Sequence, residues 1–182
     1  LKEAQLTSQL QHPGIAPVFD FGHKSDGSPY FTMPEIKGRT FGSILKESQN
    51  SITHSFSRQR LNDFHQVCKT MAYAHSRGVI HCDLKPDNIM LGQFGEVYVL
   101  DWGLAIVTEP LDGSAPIQIL PVRDRDLIGT PMYMSPEQVL GDVENISFSS
   151  DVYSLGILLY QILMGTRPLE GTTESILEQI KN

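Results

Sequence analysis

The sequence HCDLKPDNIMLG, residues 81–92, places two aspartates, a lysine and an asparagine directly before an apolar segment. Unpaired charges are costly to bury. Charged side chains clustered beside a buried strand are therefore expected to bind a ligand or a partner of opposite charge. Asp83, Lys85 and Asn88 lie in the predicted loop, and residues 89–91 begin the predicted strand. The stretch therefore indicates a binding or catalytic site.

Composition restricts the class of protein. The 182 residues are 40% hydrophobic and 19% charged, which is typical of a globular domain or a piece of a larger one. A net charge of −7 argues against a nucleic-acid-binding surface. Cys68 and Cys82 form neither a disulfide framework nor a metal pattern, which favours a reducing compartment. The longest apolar run, residues 155–164, is too short to span a bilayer.

Periodicity predicts strands first and helices afterwards. The predicted strands form two hairpins, residues 15–22 with 29–33 and residues 89–91 with 97–100. The predicted helices are residues 1–10, 40–47, 57–77, 149–164 and a last one from about 172, with Thr40 capping the second and Ser149 or Ser150 the fourth. Residues 104–128 are predicted to form a long loop. This order indicates an α+β fold with a mostly helical body.

The second predicted hairpin suggests how the polar residues come together. Asp101 directly follows its last strand, in the sequence LDWGLA at 100–105. Because a hairpin returns the chain to the same edge, Asp83, Asn88 and Asp101 are expected to face a common space. Their oxygens suit Mg²⁺, which completes its shell with phosphate and water. Lys85 adds positive charge for a phosphate under transfer, and Gly103 is expected to give the loop backbone freedom.

These motifs resemble those of eukaryotic-like (Hanks-type) bacterial serine/threonine protein kinases. HCDLKPDNIML with DWG resembles the family's catalytic loop and metal-binding motif. GTPMYMSPEQV, residues 129–139, resembles the substrate-docking loop and the Ala-Pro-Glu motif, with Ser135 in place of Ala. SDVYSLGILLYQILMGTRP, residues 150–168, resembles the central buried helix. The resemblance covers most of the chain.

The resemblance implies a partial protein kinase domain with a protein-kinase-like fold. Residues 1–33 would be the end of the small lobe, 34–39 the hinge and 40–182 an incomplete, mostly helical large lobe. The first strands of the small lobe and the last helices of the large lobe are expected to be missing from this stretch.

The resemblance also implies transfer of the γ-phosphoryl group of ATP to Ser or Thr of a protein substrate, with ATP and Mg²⁺ as cofactors. Asp83 would orient the substrate hydroxyl and accept its proton, while Lys85 would stabilise the transferring group. Asn88 and Asp101 would hold Mg²⁺. Thr130 would pack against Asp83 and Lys85, which implies Ser or Thr rather than Tyr as the acceptor.

A nucleotide site is implied by the same resemblance. Glu3 matches the helix glutamate that pairs with the ATP-contacting lysine, and Met33 matches the gatekeeper at the end of a strand. Pro34 and Ile36 would offer backbone groups to adenine, and a proline is tolerated because only its carbonyl is needed. Met90 would form the apolar floor of the site. Below it, Asp151 would hold the backbone of the catalytic loop.

The chain departs from the family pattern in several places. It contains no GxGxxG or VAIK, so Glu3 has no lysine to pair with, and we expect the chain alone to be an inefficient kinase. Glu137 is expected to lack its usual arginine partner. Cys82 replaces the arginine that, in the family, binds the phosphate of a phosphorylated loop residue. Phosphorylation of the loop is therefore not expected to activate the protein in the usual way.

Several residues have simpler interpretations. Cys82 is expected to be a small buried hydrophobe, and His81 a core histidine packed on Trp102. Thr108 and Ser114 are expected to be solvated loop residues rather than phosphorylation sites. Residues 124–126 are expected to form a solvated charge run.

Two other functions stay open at this point. A pseudokinase or scaffold would use the same fold without catalysis, but the base, the lysine and both metal ligands remain. A small-molecule kinase is not expected to carry GTPMYMSPE. The expected partners are ATP and a protein substrate, with no nucleic acid and no membrane segment in this chain. The expected location is cytoplasmic, even if the full-length protein is membrane-anchored.

Overall fold

The structure is a computed structural model that describes residues 2–49, 58–117 and 130–181. Its helices are α1 (Lys2–Thr7), α2 (Phe41–Gln49), α3 (Arg58–Ser76), α4 (Pro136–Leu140), α5 (Phe148–Met164) and α6 (Thr173–Lys181). Its strands are β1 (Asp20–His23), β2 (Pro29–Thr32), β3 (Gly38–Thr40), β4 (Val79–Ile80), β5 (Ile89–Gly92), β6 (Val97–Val99) and β7 (Ile106–Val107). Short 3-10 turns span Pro86–Asn88, Pro131–Tyr133 and Val143–Asn145.

The strands of the described residues form three small antiparallel sheets. One is the hairpin β1–β2, one has the order β3-β5-β6, and the third pairs β4 with β7. Both predicted hairpins are therefore confirmed. The first is shorter than predicted, because the segment before Asp20 lies against the second hairpin, where the Val99 amide donates to the Gly14 carbonyl at 2.8 Å.

The predicted helices are confirmed, with changes at their ends. Thr40 caps α2, since the Ser43 amide donates to its Oγ1 at 3.1 Å. The predicted cap of α5 is wrong: the capping residue is Ser147. Ser150 acts instead from inside the first turn, where its Oγ accepts a hydrogen bond from the Ser147 amide at 3.2 Å. Gly165 ends α5 with a left-handed φ of 70°.

Three short strands, β3, β4 and β7, and one short helix, α4, were not predicted. β4 pairs with β7 through Val79–Val107 and Ile80–Ile106, so part of the predicted long loop is a strand. Strands of two or three residues carry too little periodicity to be recognised. The predicted charge run at 124–126 lies outside the described residues.

The main core lies directly under the 81–88 loop. It joins α1, α2, α3 and α5 to the β5–β6 hairpin, and its members include Leu6, Phe41, Val67, Met71, Ile89, Val99, Trp102 and Leu158. Leu84 belongs to the same cluster and is 1% exposed, so the loop is anchored by one of its own side chains. A second cluster contains Met132, Tyr133, Ile176 and Ile180. None of the described helices combines the length and the apolar character needed to cross a membrane.

Candidate active site

Asp83, Lys85 and Asn88 form one hydrogen-bonded group. Asp83 Oδ2 accepts hydrogen bonds from Lys85 Nζ at 2.6 Å and from Asn88 Nδ2 at 3.1 Å. Asn88 Nδ2 also donates to the Asp83 carbonyl at 2.9 Å. The turn at Pro86–Asn88 makes this spacing possible, because it brings the Asn88 amide to the Lys85 carbonyl at 3.0 Å. Three of the polar residues of the 81–92 sequence, Asp83, Lys85 and Asn88, are thus joined by hydrogen bonds.

Asp151 holds the backbone of this loop from α5. Its Oδ2 accepts a hydrogen bond from the His81 amide at 2.8 Å, and its Oδ1 accepts one from the Cys82 amide at 3.0 Å. This confirms the predicted contact. His75 Nε2 also lies 2.8 Å from Asp151 Oδ2, a contact that was not predicted. Asp151 is fully buried, so the loop is fixed by a carboxylate without access to water.

His81 links the loop to the strand that precedes Asp101. Its ring packs on Trp102 with centroids 4.6 Å apart, which confirms the predicted packing. Nδ1 accepts a hydrogen bond from the Asp83 amide at 3.2 Å, while Nε2 lies 3.1 Å from the Leu100 carbonyl. Burial lowers the pKa of His81 below its ordinary value, against the opposing charge of Asp151. A neutral ring with Nε2–H as donor satisfies both contacts.

Asp101 lies at the base of the same hairpin as Asn88. The Leu100 amide donates to the Asn88 carbonyl at 2.8 Å, which places the next residue beside the loop. Asp101 itself adopts a left-handed φ of 61°. The backbone freedom predicted for Gly103 is therefore needed at Asp101 instead. A Cβ at Gly103 would lie 3.3 Å from Asp101 Oδ1, so glycine serves there to leave space for the carboxylate.

The donor atoms at this edge fit a hard divalent cation. Because Asn88 Nδ2 faces Asp83, its amide oxygen Oδ1 stays available as a ligand. The carboxylate of Asp101 is the second oxygen donor. Within the described ranges, no three His, Cys, Asp or Glu side chains come together in a metal-binding group. A cation that binds few protein oxygens and completes its shell with phosphate and water matches this donor set.

A cavity of about 400 Å³ adjoins Asp101. Six of the seven residues predicted for cofactor binding line it, namely Glu3, Met33, Pro34, Ile36, Met90 and Asp101. The seventh, Asn88, is not among the lining residues and lies in the neighbouring loop instead. Phe31 and Val99 also line the cavity and were not predicted. Phe31 could have been found, since it is two residues from Met33 in the predicted strand 29–33 and side chains at that spacing share a face. The cavity has apolar walls and carboxylates at one end.

Glu3 and Asp101 place two carboxylates at that end of the cavity. Burial raises the pKa of Glu3 above its ordinary value, and the charge of Asp101 raises it further. A hydrogen bond from the Trp102 amide to the Glu3 carboxylate offsets part of this effect. The neighbouring Lys2 ammonium donates to the Ala105 carbonyl at 2.8 Å. A cation between the two carboxylates would be favoured.

Glu137 is not left unpaired, since it has a hydrogen-bond partner other than the arginine of the family pattern. The hydroxyl of Ser150, in the first turn of α5, donates to Glu137 Oε1. Burial raises the pKa of Glu137, but its hydrogen bonds, first that from Ser150, bring the pKa below its ordinary value.

Thr130 begins the neighbouring turn, where its carbonyl accepts a hydrogen bond from the Tyr133 amide at 3.0 Å. Its packing against Asp83 and Lys85 stays a prediction.

The remaining singled-out residues have structural roles. Cys82 is buried at 9% exposure, and its Sγ lies 3.7 Å from the Ile80 carbonyl, which confirms the expected small buried residue. Thr108 is exposed, but its Oγ1 donates to the Gly78 carbonyl at 3.1 Å and supports the β4–β7 pairing. Ser114 is half-buried rather than solvated.

Comparison with known proteins agrees with this geometry. The protein kinase domain family matches residues 1–182. The chain is 41% identical over 182 residues to the serine/threonine-protein kinase PknD of Chlamydia felis, covering 90% of this chain and 19% of that protein. It is 38% identical over 190 residues to PknD of Protochlamydia amoebophila, covering 95% of this chain and 19% of that protein. The chain therefore spans about a fifth of the length of these relatives. Together these matches show that the chain belongs to the protein kinase family.

Proposed function

We propose that the full-length protein carrying this chain is a serine/threonine protein kinase, which transfers the γ-phosphoryl group of ATP to Ser or Thr hydroxyls of protein substrates. One observation carries the proposal. Asp83, Lys85 and Asn88 are hydrogen-bonded to one another, and the Asn88–Leu100 bond joins them to Asp101 at the mouth of the cavity. These contacts support an arrangement in which a base, a cation and two oxygen ligands serve a nucleotide bound in the cavity.

Asp83 is the proposed base. Lys85 and Asn88 both donate to Oδ2, which fixes the plane of the carboxylate. The other oxygen, Oδ1, is then the acceptor for the substrate hydroxyl. The substrate oxygen forms its bond to the γ-phosphorus while the bond from that phosphorus to the β-phosphate oxygen breaks and ADP leaves, and the hydroxyl proton passes to Asp83 Oδ1.

Lys85 is the proposed electrostatic partner of the phosphoryl group. Its ammonium carries three N–H donors, and the bond to Asp83 uses one of them. The others are available for phosphoryl oxygens, where a fixed positive charge in a partly buried site lowers the cost of developing charge. The ion pair also keeps Lys85 next to the proposed base.

The cavity is the proposed nucleotide site. Its apolar lining, including Met33, Ile36 and Met90, suits a flat heteroaromatic base, and the Pro34 carbonyl is an acceptor for its amino group. Asn88 Oδ1 and the Asp101 carboxylate would hold Mg²⁺. When bound, that ion neutralises charge on the phosphate oxygens during transfer. Because ATP is the donor, we expect the domain to work in the cytoplasm.

A phosphotransfer assay on the full-length protein tests this proposal. Labelled phosphate from ATP is followed into matched peptides that differ only in carrying Ser, Thr or Tyr. We expect Mg²⁺-dependent transfer to Ser and Thr, and a loss of at least about a hundredfold in Asp101→Asn, since the charge holding the metal is removed. Asp112→Asn is the control, because Asp112 is exposed, is not among the cavity residues, and its carboxylate accepts a hydrogen bond from the Ser114 amide.

Two results would contradict the proposal. Nucleotide binding without transfer to any peptide would favour the pseudokinase or scaffold function. Transfer confined to the Tyr peptide would overturn the substrate class.

A further inference from the structure

Gln138 makes a long-range contact with the catalytic loop that the proposed function does not use. Its side chain is buried, with 6% exposure, although it directly follows the Ser135–Glu137 motif on α4. Its Nε2 donates to the Cys82 carbonyl at 2.7 Å, across 56 residues of sequence. The acceptor belongs to the residue immediately before Asp83.

Ser135 sets the orientation of the Gln138 amide. Both its backbone amide, at 3.0 Å, and its hydroxyl, at 3.2 Å, donate to Gln138 Oε1. Because two donors face one end of the amide, that end must be the oxygen, and the nitrogen must face the Cys82 carbonyl. Ser135 is 1% exposed, so water does not compete for these contacts. The serine that replaces the family's alanine therefore adds a donor that orients Gln138.

The peptide between Cys82 and Asp83 is held at both of its polar atoms. Its oxygen accepts from Gln138, and its N–H donates to His81 Nδ1 at 3.2 Å. One residue earlier, the Cys82 amide donates to Asp151. Cys82 has a left-handed φ of 66°, a conformation that residues other than glycine rarely adopt. Such a conformation persists only where its surroundings hold it.

We propose that Gln138 is a positioning residue for phosphoryl transfer. It fixes the Cys82–Asp83 peptide, and thereby aims the carboxylate of Asp83, from the segment that begins at Thr130. The inference rests on the proposed function of Asp83. The contact is made by a neutral amide and needs no phosphate, so it holds the loop where the usual arginine is replaced by Cys82.

Steady-state kinetics on the full-length protein separate positioning from folding. Gln138→Glu keeps the shape and the acceptor for Ser135 but removes the donor to Cys82. Gln138→Met keeps the volume and removes both polar contacts. Ser135→Ala removes one of the two donors that orient the amide. Gln161→Met is the matched control, because Gln161 is equally buried at 5% exposure but accepts its hydrogen bond from Tyr133 rather than contacting the loop.

We expect kcat to fall roughly 10- to 100-fold in both Gln138 variants, which is the cost of a small misplacement of a reacting group. The KM for ATP should stay within about twofold, because none of the cavity residues changes. Ser135→Ala should lose less than about fivefold, the loss expected for one neutral hydrogen bond. Gln161→Met should keep its kcat within about threefold.

Two further readouts distinguish positioning from general damage. Hydrogen exchange of the amides at 82–85 should speed up in both Gln138 variants and not in Gln161→Met. Lowering the pH should restore part of the activity of Gln138→Glu relative to wild type at the same pH, because a protonated carboxyl regains a donor.

The outcomes separate the two proposals. An active wild type with unchanged kcat in Gln138→Glu overturns this inference and leaves the proposed function intact. Equal losses in the Gln138 variants and Gln161→Met would show a structural role only, which also overturns it. A wild type without phosphotransfer overturns the proposed function and this inference with it.

Discussion

The two hairpins that border the cavity differ in how they are held. The β5–β6 hairpin has β3 as a third strand, and Ile89 and Val99 are fully buried in the main core. The β1–β2 hairpin has no further strand among the described residues. Two of its aromatic side chains are exposed, with 46% for Phe21 and 38% for Phe31, and Phe19, directly before β1, is 69% exposed.

The 81–88 loop, which carries the proposed catalytic residues, is held by long-range buried hydrogen bonds, whereas the β1–β2 hairpin is held mainly by the ladder between its two strands. Asp151 and Gln138 reach the catalytic loop from α5 and α4. Two-stranded hairpins are marginal on their own. We therefore expect the catalytic loop to keep its geometry under conditions in which the β1–β2 hairpin opens.

Removing the buried carboxylate of Asp151 should have the largest effect on stability. Asp151→Ala leaves the His81 and Cys82 amides without acceptors in a buried site, so the free energy of unfolding should fall by about 3–5 kcal/mol. Urea denaturation followed by tryptophan fluorescence measures this. Asp26→Ala is the matched change in the other hairpin, where an exposed aspartate accepts hydrogen bonds from Ser28, and its shift should be much smaller. Equal losses of unfolding free energy in Asp151→Ala and Asp26→Ala would contradict the view that the 81–88 loop depends on buried long-range contacts and the β1–β2 hairpin does not.

A second pair compares one aromatic side chain from each region. Trp102→Phe removes buried volume and the bond from Trp102 Nε1 to the Val99 carbonyl, so stability should fall by about 1–2 kcal/mol. Phe19→Leu changes an exposed side chain and should stay within about 0.5 kcal/mol. Thermal denaturation of both variants shows which of the two substitutions lowers stability more. A larger loss for Phe19→Leu would show that the first hairpin is held more firmly than its exposure indicates.

The sequence could predict contacts between residues that are close along the chain, but not the long-range contacts that hold the loop. Asp83, Lys85, Asn88 and Asp101 lie within one loop and hairpin, so local pattern was enough to bring them together. The Asp151 contact came from the family resemblance, since nothing local links α5 to the loop. Gln138 was missed because a glutamine on a short helix is normally a surface residue. The cap of α5 was misplaced because Ser147, Ser149 and Ser150 all satisfy the capping preference.

The raised pKa of Glu3, at the end of the cavity near Asp101, can be tested through the pH dependence of stability. Its raised pKa means that the folded state holds its proton more tightly than the unfolded state, whose value is near the ordinary 4.5. Stability is therefore lost as the pH rises from 4.5 through the folded-state pKa. Glu3→Gln should remove this loss, so for residues 1–182 it should raise the melting temperature more at pH 7 than at pH 4.5.

Melting curves at the two pH values, with Glu35→Gln as an exposed control, decide this prediction. A larger gain at pH 4.5 would contradict the assigned sign. In the full-length protein, a lysine that pairs with Glu3 should reverse the effect at pH 7.

The smallest effects are expected in the loop after Asp101. Thr108→Ala and Ser114→Ala should keep phosphotransfer within about twofold, because neither contacts the proposed site and Cys82 replaces the usual phosphate receiver. The assay of the full-length protein on a Ser peptide measures both. A large drop in either variant would mean that phosphorylation of this loop acts despite Cys82.

The most direct test compares two aspartates in the same loop. The Asp83 side chain is 9% exposed and accepts hydrogen bonds from Lys85 and Asn88. The Asp87 side chain is 58% exposed, and its Oδ1 lies 3.9 Å from Lys46 Nζ. In the full-length protein, Asp83→Asn should slow phosphotransfer at least about a hundredfold, since a positioned base is lost. Asp87→Asn should stay within about twofold of wild type. An unchanged rate in Asp83→Asn would contradict the assignment of the base and, with it, the proposed active site.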